Sequence, residues 1–238
     1  MGRVLWVLLI VAAGIGMTMG TSRREDVQTL AELIPAPTEV TEQVFPETVL
    51  PKTFPCVLEE GVLVAEELME YEGPYLEDGS GEPVSGIAAL MLHNTGTRGI
   101  SSCAIAVQQG KRTLYFCATW IPAGDRVLVL SCDRSLYTRD PITDCRSIAL
   151  RWEDFYSAGP AVQVTDNADG TLTVTNGSYR ELRQLCLRWK PYYADGDFYL
   201  GGITRSIYIG TLEPGGATVI PREHYSADLS KVVAILSH

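Results

Sequence analysis

Apolar and polar residues alternate with a period of two over most of the chain from Val57 onward, the spacing of half-buried strands. Val62-Leu63-Val64 opens the pattern, and Ile87 to Leu92 runs into the turn His93-Asn94-Thr95-Gly96. A hairpin is predicted next. Cys103, Ile105 and Val107 alternate with small residues, Gln109-Gly110 turns, and Leu114 and Phe116 return on the same face. That register sets Cys103 opposite Phe116 and points Cys103 and Cys117 to different faces. Ile121-Pro122-Ala123-Gly124 turns again before Val127-Leu-Val-Leu130.

A second block repeats the scheme. Val162–Thr165 and Thr171–Thr175 flank Asp166-Asn167-Ala168-Asp169-Gly170, a turn with glycine at the left-handed position. Leu182–Trp189 and Phe198–Ile209 read as middle strands, Leu212-Glu-Pro-Gly-Gly216 turns, Thr218–Ile220 pairs, and Val232–Leu236 follows. Setting LMLHNTG against LTVTNGS, and IPAGDRVLVL against LEPGGATVI, aligns the blocks as a weak internal repeat: strand, Asn turn, strands, Pro-Gly turn, strand. Short strands with regular turn signals and no βαβ alternation predict an all-β chain of two tandem antiparallel β-sandwiches, 57–145 and 146–238, each folding as its own body.

The N-terminus departs from this pattern. After Arg3, Val4 to Gly20 contains no ionisable residue. Seventeen residues make a helix of about 26 Å, close to the ~30 Å hydrocarbon core of a bilayer. Residues 1–22 are read as an uncleaved membrane anchor spanning with residues 4–20, in preference to a removable secretory signal, because Gly14-Ile15-Gly16 and Thr18-Met19-Gly20 are poor cleavage sites. Residues 23–56 read as a stalk. Pro35, Pro37, Pro46, Pro51 and Pro55 interrupt helix and sheet, leaving room for one short helix over 26–33. Basic residues flank both ends of the run, so charge alone barely orients it. The anchor–stalk–β-body design places the C-terminal body outside the cell.

Charge narrows the partners. Without residues 1–20 the chain carries 18 Lys and Arg against 29 Asp and Glu, a net of −11. Such a surface repels phosphate backbones, which excludes nucleic acid. Residues 53–97 hold nine carboxylates (Glu59, Glu60, Glu66, Glu67, Glu70, Glu72, Glu77, Asp78, Glu82) and no Lys or Arg, read as a solvated strand face. Of the cysteines at 56, 103, 117, 132, 145 and 186, four sit in apolar contexts typical of quiet packing. Cys132 and Cys145, which bracket SLYTRDPITD, are the pair expected to bond if any does.

No catalytic motif emerges. The histidines, His93, His224 and His238, are too scattered for a metal cluster, and no P-loop or nucleophile elbow is present. No cofactor, metal site or catalytic residue is therefore expected. Asp166-x-x-Asp169-Gly170 lacks the alternate oxygen ligands of a calcium loop and is read as a turn. The candidate ligand-binding segment is Tyr192, Tyr193, Asp195, Asp197, Phe198 and Tyr199: four aromatics and two carboxylates suited to stacking on a sugar or clamping a cationic peptide. The competing reading has the tyrosines packing over the end of the body while Asp-Gly-Asp makes the turn.

Several strings, Tyr71-Glu-Gly-Pro-Tyr-Leu-Glu-Asp-Gly-Ser80, the Asn94-Thr95 turn, Pro122-Ala-Gly with Val127-Leu-Val-Leu130, Tyr199-Leu-Gly-Gly-Ile-Thr204 and Pro221-Arg-Glu-His-Tyr225, resemble uncharacterised surface proteins of Clostridia-like Gram-positive bacteria. The likeness covers most of 60–238 and departs at Arg205, where such proteins tend to carry an aromatic. It implies an N-terminal anchor and tandem immunoglobulin-like modules, and it carries no activity. The function expected is a non-catalytic, membrane-tethered extracellular binding or adhesion module at the cell envelope, with a protein or glycan ligand. The alternatives are an acidic envelope hydrolase using Glu66, Glu70 or Asp195, and a structural spacer or assembly subunit.

Overall fold

The structure, a computed structural model, describes residues 51–153, 158–221 and 229–237. The expected leader, most of the expected stalk and the short helix expected over 26–33, His224 and His238 lie outside the described residues. Among those described, no helix is long and apolar enough to cross a membrane. The fold is all-β: two short 3-10 turns interrupt strands β1 (Cys56–Glu59), β2 (Leu63–Tyr75), β3 (Glu82–Asn94), β4 (Gly99–Gln109), β5 (Arg112–Ile121), β6 (Arg126–Leu130), β7 (Ile142–Glu153), β8 (Val162–Asp166), β9 (Thr171–Asn176), β10 (Leu182–Tyr193), β11 (Phe198–Leu200), β12 (Arg205–Leu212), β13 (Ala217–Pro221) and β14 (Ser230–Leu236). One sheet runs β1-β2-β3-β6-β11-β10-β12, with β14 on the other side of β10; β5-β4-β7 and β13-β9-β8 form two smaller sheets. Every pairing is antiparallel except β11 with β6.

Alternation explains the first core. Leu63, Ala65 and Leu68 of β2, Ala88, Leu90 and Leu92 of β3, and Val127 and Val129 of β6 meet Ile105, Val107, Leu114 and Phe116 of β4 and β5 in one buried cluster. A bulge between Ala65 and Glu67 resets the inward phase of β2. Glu67, Glu70 and Glu72 stay exposed on the solvated side of this strand, but the expected solvated face does not extend to Glu66, paired with Arg126, or to Glu77, which turns into the junction with the second half. A second cluster gathers Val162, Leu172 and Val174 with Leu185, Leu187 and Trp189.

The β4–β5 register differs from the sequence expectation by two residues. Cys103 pairs with Ala118, and Ile105 with Phe116. The turn is centred on Gly110-Lys111 because the first central position takes a positive φ, 57° at Gly110, which suits glycine. A two-residue shift preserves the faces, so Cys103 and Cys117 still point opposite ways. The expected strand Phe198–Ile209 is broken: β11 and β12 are separated by Gly201 to Thr204, which passes between the halves. A Cβ at Gly202 would lie 1.9 Å from the Cys117 carbonyl oxygen, an approach only glycine permits. The position chosen to divide the blocks, between 145 and 146, lies within β7, which pairs with β4 along its length.

The internal repeat reappears as duplicated hydrogen bonding. Asn94 and Asn176 are both fully buried. Asn94 Nδ2 donates to the carbonyls of Arg98 (2.8 Å), Ile121 (3.1 Å) and Pro122 (3.0 Å), and its Oδ1 accepts from Gly96 N (3.1 Å). Asn176 Nδ2 donates to Arg180 (2.7 Å), Leu212 (3.0 Å) and Glu213 (3.1 Å), and its Oδ1 accepts from Ser178 N (2.9 Å). The peptide groups match as well: Gly124 N donates to Asn94 O and Gly215 N to Asn176 O. Strand pairing follows suit, β2-β3-β6 and β5-β4-β7 corresponding to β8-β9-β13 and β12-β10-β14.

The halves join around Gly201–Ile203. Lys190, buried on β10, donates from Nζ to the carbonyls of Gly201 (3.0 Å), Gly202 (2.8 Å) and Ile203 (2.7 Å). Glu77 holds the N–H side of the same segment. Its carboxylate accepts from Gly202 N at 2.9 and 2.7 Å, and from Leu130 N at 2.7 Å. Thr119 of β5 adds donations from its N and Oγ1 to Gly202 O (2.8 and 3.1 Å). Strand β10 is therefore covered on both faces: Leu185, Leu187 and Trp189 enter the second core, while Cys186 joins the first and Arg188 lies 4.1 Å from the Trp120 ring centroid.

Three outcomes follow from this architecture. Asn94→Ala and Asn176→Ala each strand buried carbonyls and should lower unfolding free energy in urea by about 2–4 kcal/mol; unequal costs, with one near zero, would show that the duplicated networks do not share a role. Leu187→Asp should cost roughly 4 kcal/mol or more and abolish the near-ultraviolet signal of both halves in one transition, since β10 lines both cores. Burial pushes the Glu77 carboxyl up to about 7, against the pull of its N–H donors and Lys190. A carboxyl with a folded pKa above its unfolded value favours the folded state at low pH, and that contribution is lost as pH rises from about 4.5 to 7. Wild-type stability relative to Glu77→Gln should therefore fall between pH 5 and 8; a flat or rising difference would contradict the assignment.

Candidate binding site

The segment from Tyr192 to Tyr199 leaves β10, turns through Ala194–Gly196 and returns as β11. Asp197 closes the turn with φ 53°, a left-handed conformation that Asp tolerates better than most residues. Its carboxylate accepts a hydrogen bond from the Tyr192 hydroxyl. In the first half the corresponding strands, β4 and β5, are joined by two residues. The hairpin tip and β11 are thus an insertion into the repeated plan.

The aromatics divide by face. Tyr199 is buried in the first core, its ring edge-on to Tyr192 at 5.4 Å, and its hydroxyl donates to Asp125 Oδ2 at 3.3 Å. Lys231 Nζ of β14 lies 3.4 Å from the Tyr192 ring centroid, a cation–π contact. Phe198 packs with Leu128 and Leu130 on the outer face of β6. Tyr193 stacks on Phe198 at 5.3 Å but remains 52% exposed, and Asp195 and Asp197 are exposed. Of the six candidate residues, Tyr199 is thus a packing residue, while Tyr193, Asp195 and Asp197 face outward.

A polar surround that sequence spacing did not bring together lies beside the hairpin. Arg126 clamps Glu66 in bidentate fashion, Nε to Oε2 at 2.8 Å and Nη2 to Oε1 at 3.0 Å, and His93 Nδ1 stands 2.8 Å from the same Oε1. Hydrogen bonding from Arg126, reinforced by His93, holds the Glu66 carboxyl below its usual range despite partial burial. Burial raises the Asp125 carboxyl, with Tyr199 and Lys231 opposing. The cross-strand pair His93–Arg126 was available from the β3–β6 register alone. Lys231 was not, because β14 reaches β10 only through tertiary pairing.

Of the carboxylates considered for hydrolysis, Glu66 is tied to Arg126 and His93, and Glu70 is exposed farther along β2. Asp195 stands on the hairpin turn. The Asp166–Gly170 loop is built as a hairpin turn: Asp169 Oδ1 accepts from Thr171 N and Oγ1 at 3.1 and 2.6 Å. Among the described residues, no group of three or more His, Cys, Asp or Glu side chains converges to hold a metal. The structure joins none of the six cysteines by a disulfide, and the expected partners Cys132 and Cys145 are not neighbours: Cys132 packs with Cys117, and Cys145 lies in the first core with Cys56. The reason is topological, since the loop from Cys132 runs across to β7 and carries Cys145 to the β1 side. No family model, curated protein or solved structure matches the chain.

Proposed function

We propose that this chain is a non-catalytic, membrane-tethered module of two immunoglobulin-like β-sandwiches, 57–145 and 146–238 in outline, held outside the cell on a stalk to contact an envelope protein or glycan. The reading of the leader as an anchor through residues 4–20 supplies the tether. The duplicated Asn networks and matched strand orders favour a tandem-sandwich description. One observation carries the binding role: the Tyr192–Tyr199 hairpin is an insertion into the repeated plan that keeps Tyr193, Asp195 and Asp197 at the surface on a base packed rigidly by Tyr199, Phe198 and Lys231. A rigid aromatic with flanking carboxylates suits stacking on a sugar face with hydrogen bonds to its hydroxyls. The Glu66 carboxyl, held ionised by Arg126 and His93, is suited to an ion pair and not to the role of a general acid.

A second reading, a rigid spacer or assembly subunit, draws on the junction at Gly201–Ile203, which fixes one half against the other. Stable self-association of the full-length chain in detergent, without added ligand, would favour it.

Full-length protein in detergent should be retained by envelope polysaccharide or by a protein of the envelope fraction. Tyr193→Ala should weaken that retention roughly tenfold or more while leaving the melting temperature within about 2 °C, because the ring is half exposed. No retention by either fraction would sink the binding reading, and a large fall in melting temperature would return Tyr193 to a packing role.

A further inference from the structure

The two sheets around the first core have two open sides, and a pair of cysteine thiols stands at each. On one side β1 and β7 are the neighbouring edges. Lys52 N donates to Ile142 O at 2.7 Å and Lys52 Nζ to Asp144 at 2.8 Å, drawing the entry to β1 against β7, and Cys56 and Cys145 are neighbours there, both buried in the first core. On the other side the chain leaving β6 crosses to β5: Ser131 bridges Phe116, and Cys132 N donates to Tyr115 O at 2.9 Å. Cys132 therefore stands diagonally from Cys117 on one face, and the two pack in a small apolar cluster with Ala104 and Ile148.

We propose that Cys56–Cys145 and Cys117–Cys132 form disulfides that staple the two sheets together at their two open sides. Cys103 faces the interior between the sheets and Cys186 faces the junction with the second half, so both remain thiols. The chemistry is thiol–disulfide exchange with an external disulfide, such as an exported dithiol oxidant or oxidised glutathione. One cysteine thiolate attacks the donor disulfide and forms a mixed disulfide, releasing one donor thiolate. The partner cysteine, losing its proton, displaces the second donor thiolate. Two protein thiols are oxidised to one S–S bond, and the donor disulfide is reduced to two thiols.

Burial also sets when the bonds form. Burial and the neighbouring Cys56 push the Cys145 thiol up to about 12, and hydrogen bonding to Cys117 together with burial holds Cys132 well above its usual value. Once the protein is folded, Cys145 and Cys132 therefore offer little thiolate near neutral pH, and exchange through them belongs to the folding chain. The supply of oxidant rests on the extracellular placement proposed above; the pairing itself does not.

The full-length chain, unfolded and reduced in denaturant with detergent present, is refolded in a glutathione redox buffer. Remaining thiols are then alkylated under denaturing conditions, and peptides are mapped by mass spectrometry without reduction. The expected product carries Cys56–Cys145 and Cys117–Cys132, with Cys103 and Cys186 alkylated, and melts roughly 10 °C or more above the reduced form. Cys145→Ser and Cys132→Ser should each lose one bond and keep the other, which separates pairing from misfolding. Six alkylated cysteines, or bonds that include Cys103 or Cys186, would overturn the proposal. The same map is made on protein trapped with alkylating agent in the producing cell. Both bonds there support the proposal and the outside placement. Bonds on refolding but only thiols in the cell would overturn that placement, and with it the crosslinks as a feature of the resident protein.

Discussion

Three peptide units, Gly201 to Ile203, are gripped from both sides by buried charge, and the arrangement of the rest follows from that grip. The ammonium of Lys190 takes the carbonyls, and the carboxylate of Glu77 takes N–H groups. A backbone segment passing between two packed halves cannot reach water, so each of its polar groups needs an internal partner. Neither ion would be tolerated there alone. With both present, an irregular stretch replaces a continuous strand, β11 is delivered to the edge of β6, and the two halves share a hydrogen-bonded sheet.

Much of the strand plan was legible in the alternation, because one face of each strand in the first half meets a dry core. The repeat was legible too. Its clearest mark, an asparagine before a turn and a Pro- and Gly-containing turn some thirty to forty residues on, corresponds to one buried amide serving three carbonyls in each half. Only a side chain with both donors and an acceptor fits that role, which is why the letter survives where the neighbouring letters differ.

What stayed hidden was contact between distant segments. Alternation in Arg-Gln-Leu-Cys-Leu-Arg-Trp-Lys, 183–190, gives no sign of what its polar positions meet, yet Arg188 lies over Trp120 and Lys190 is buried. Period two reports that the faces differ but not what lies beyond the polar one. The same holds for the cysteines: sequence proximity suggested 132 with 145, whereas sheet edges bring 117 to 132 and 56 to 145. In the candidate site the aromatics were evident from composition. The split between Tyr199, which packs, and Tyr193, which faces outward, depended on β11 joining a sheet from the other half.

The parallel pairing of β11 with β6 also bears on mechanics. A chain built by doubling one unit would ordinarily bend at the link between its copies, and a tug on the far copy would be lost in that bend. Here the excursion from the second copy is woven into the first. Displacement of the second copy is passed to the first through that pairing as a turning moment, and the angle between the two is set by the fold itself.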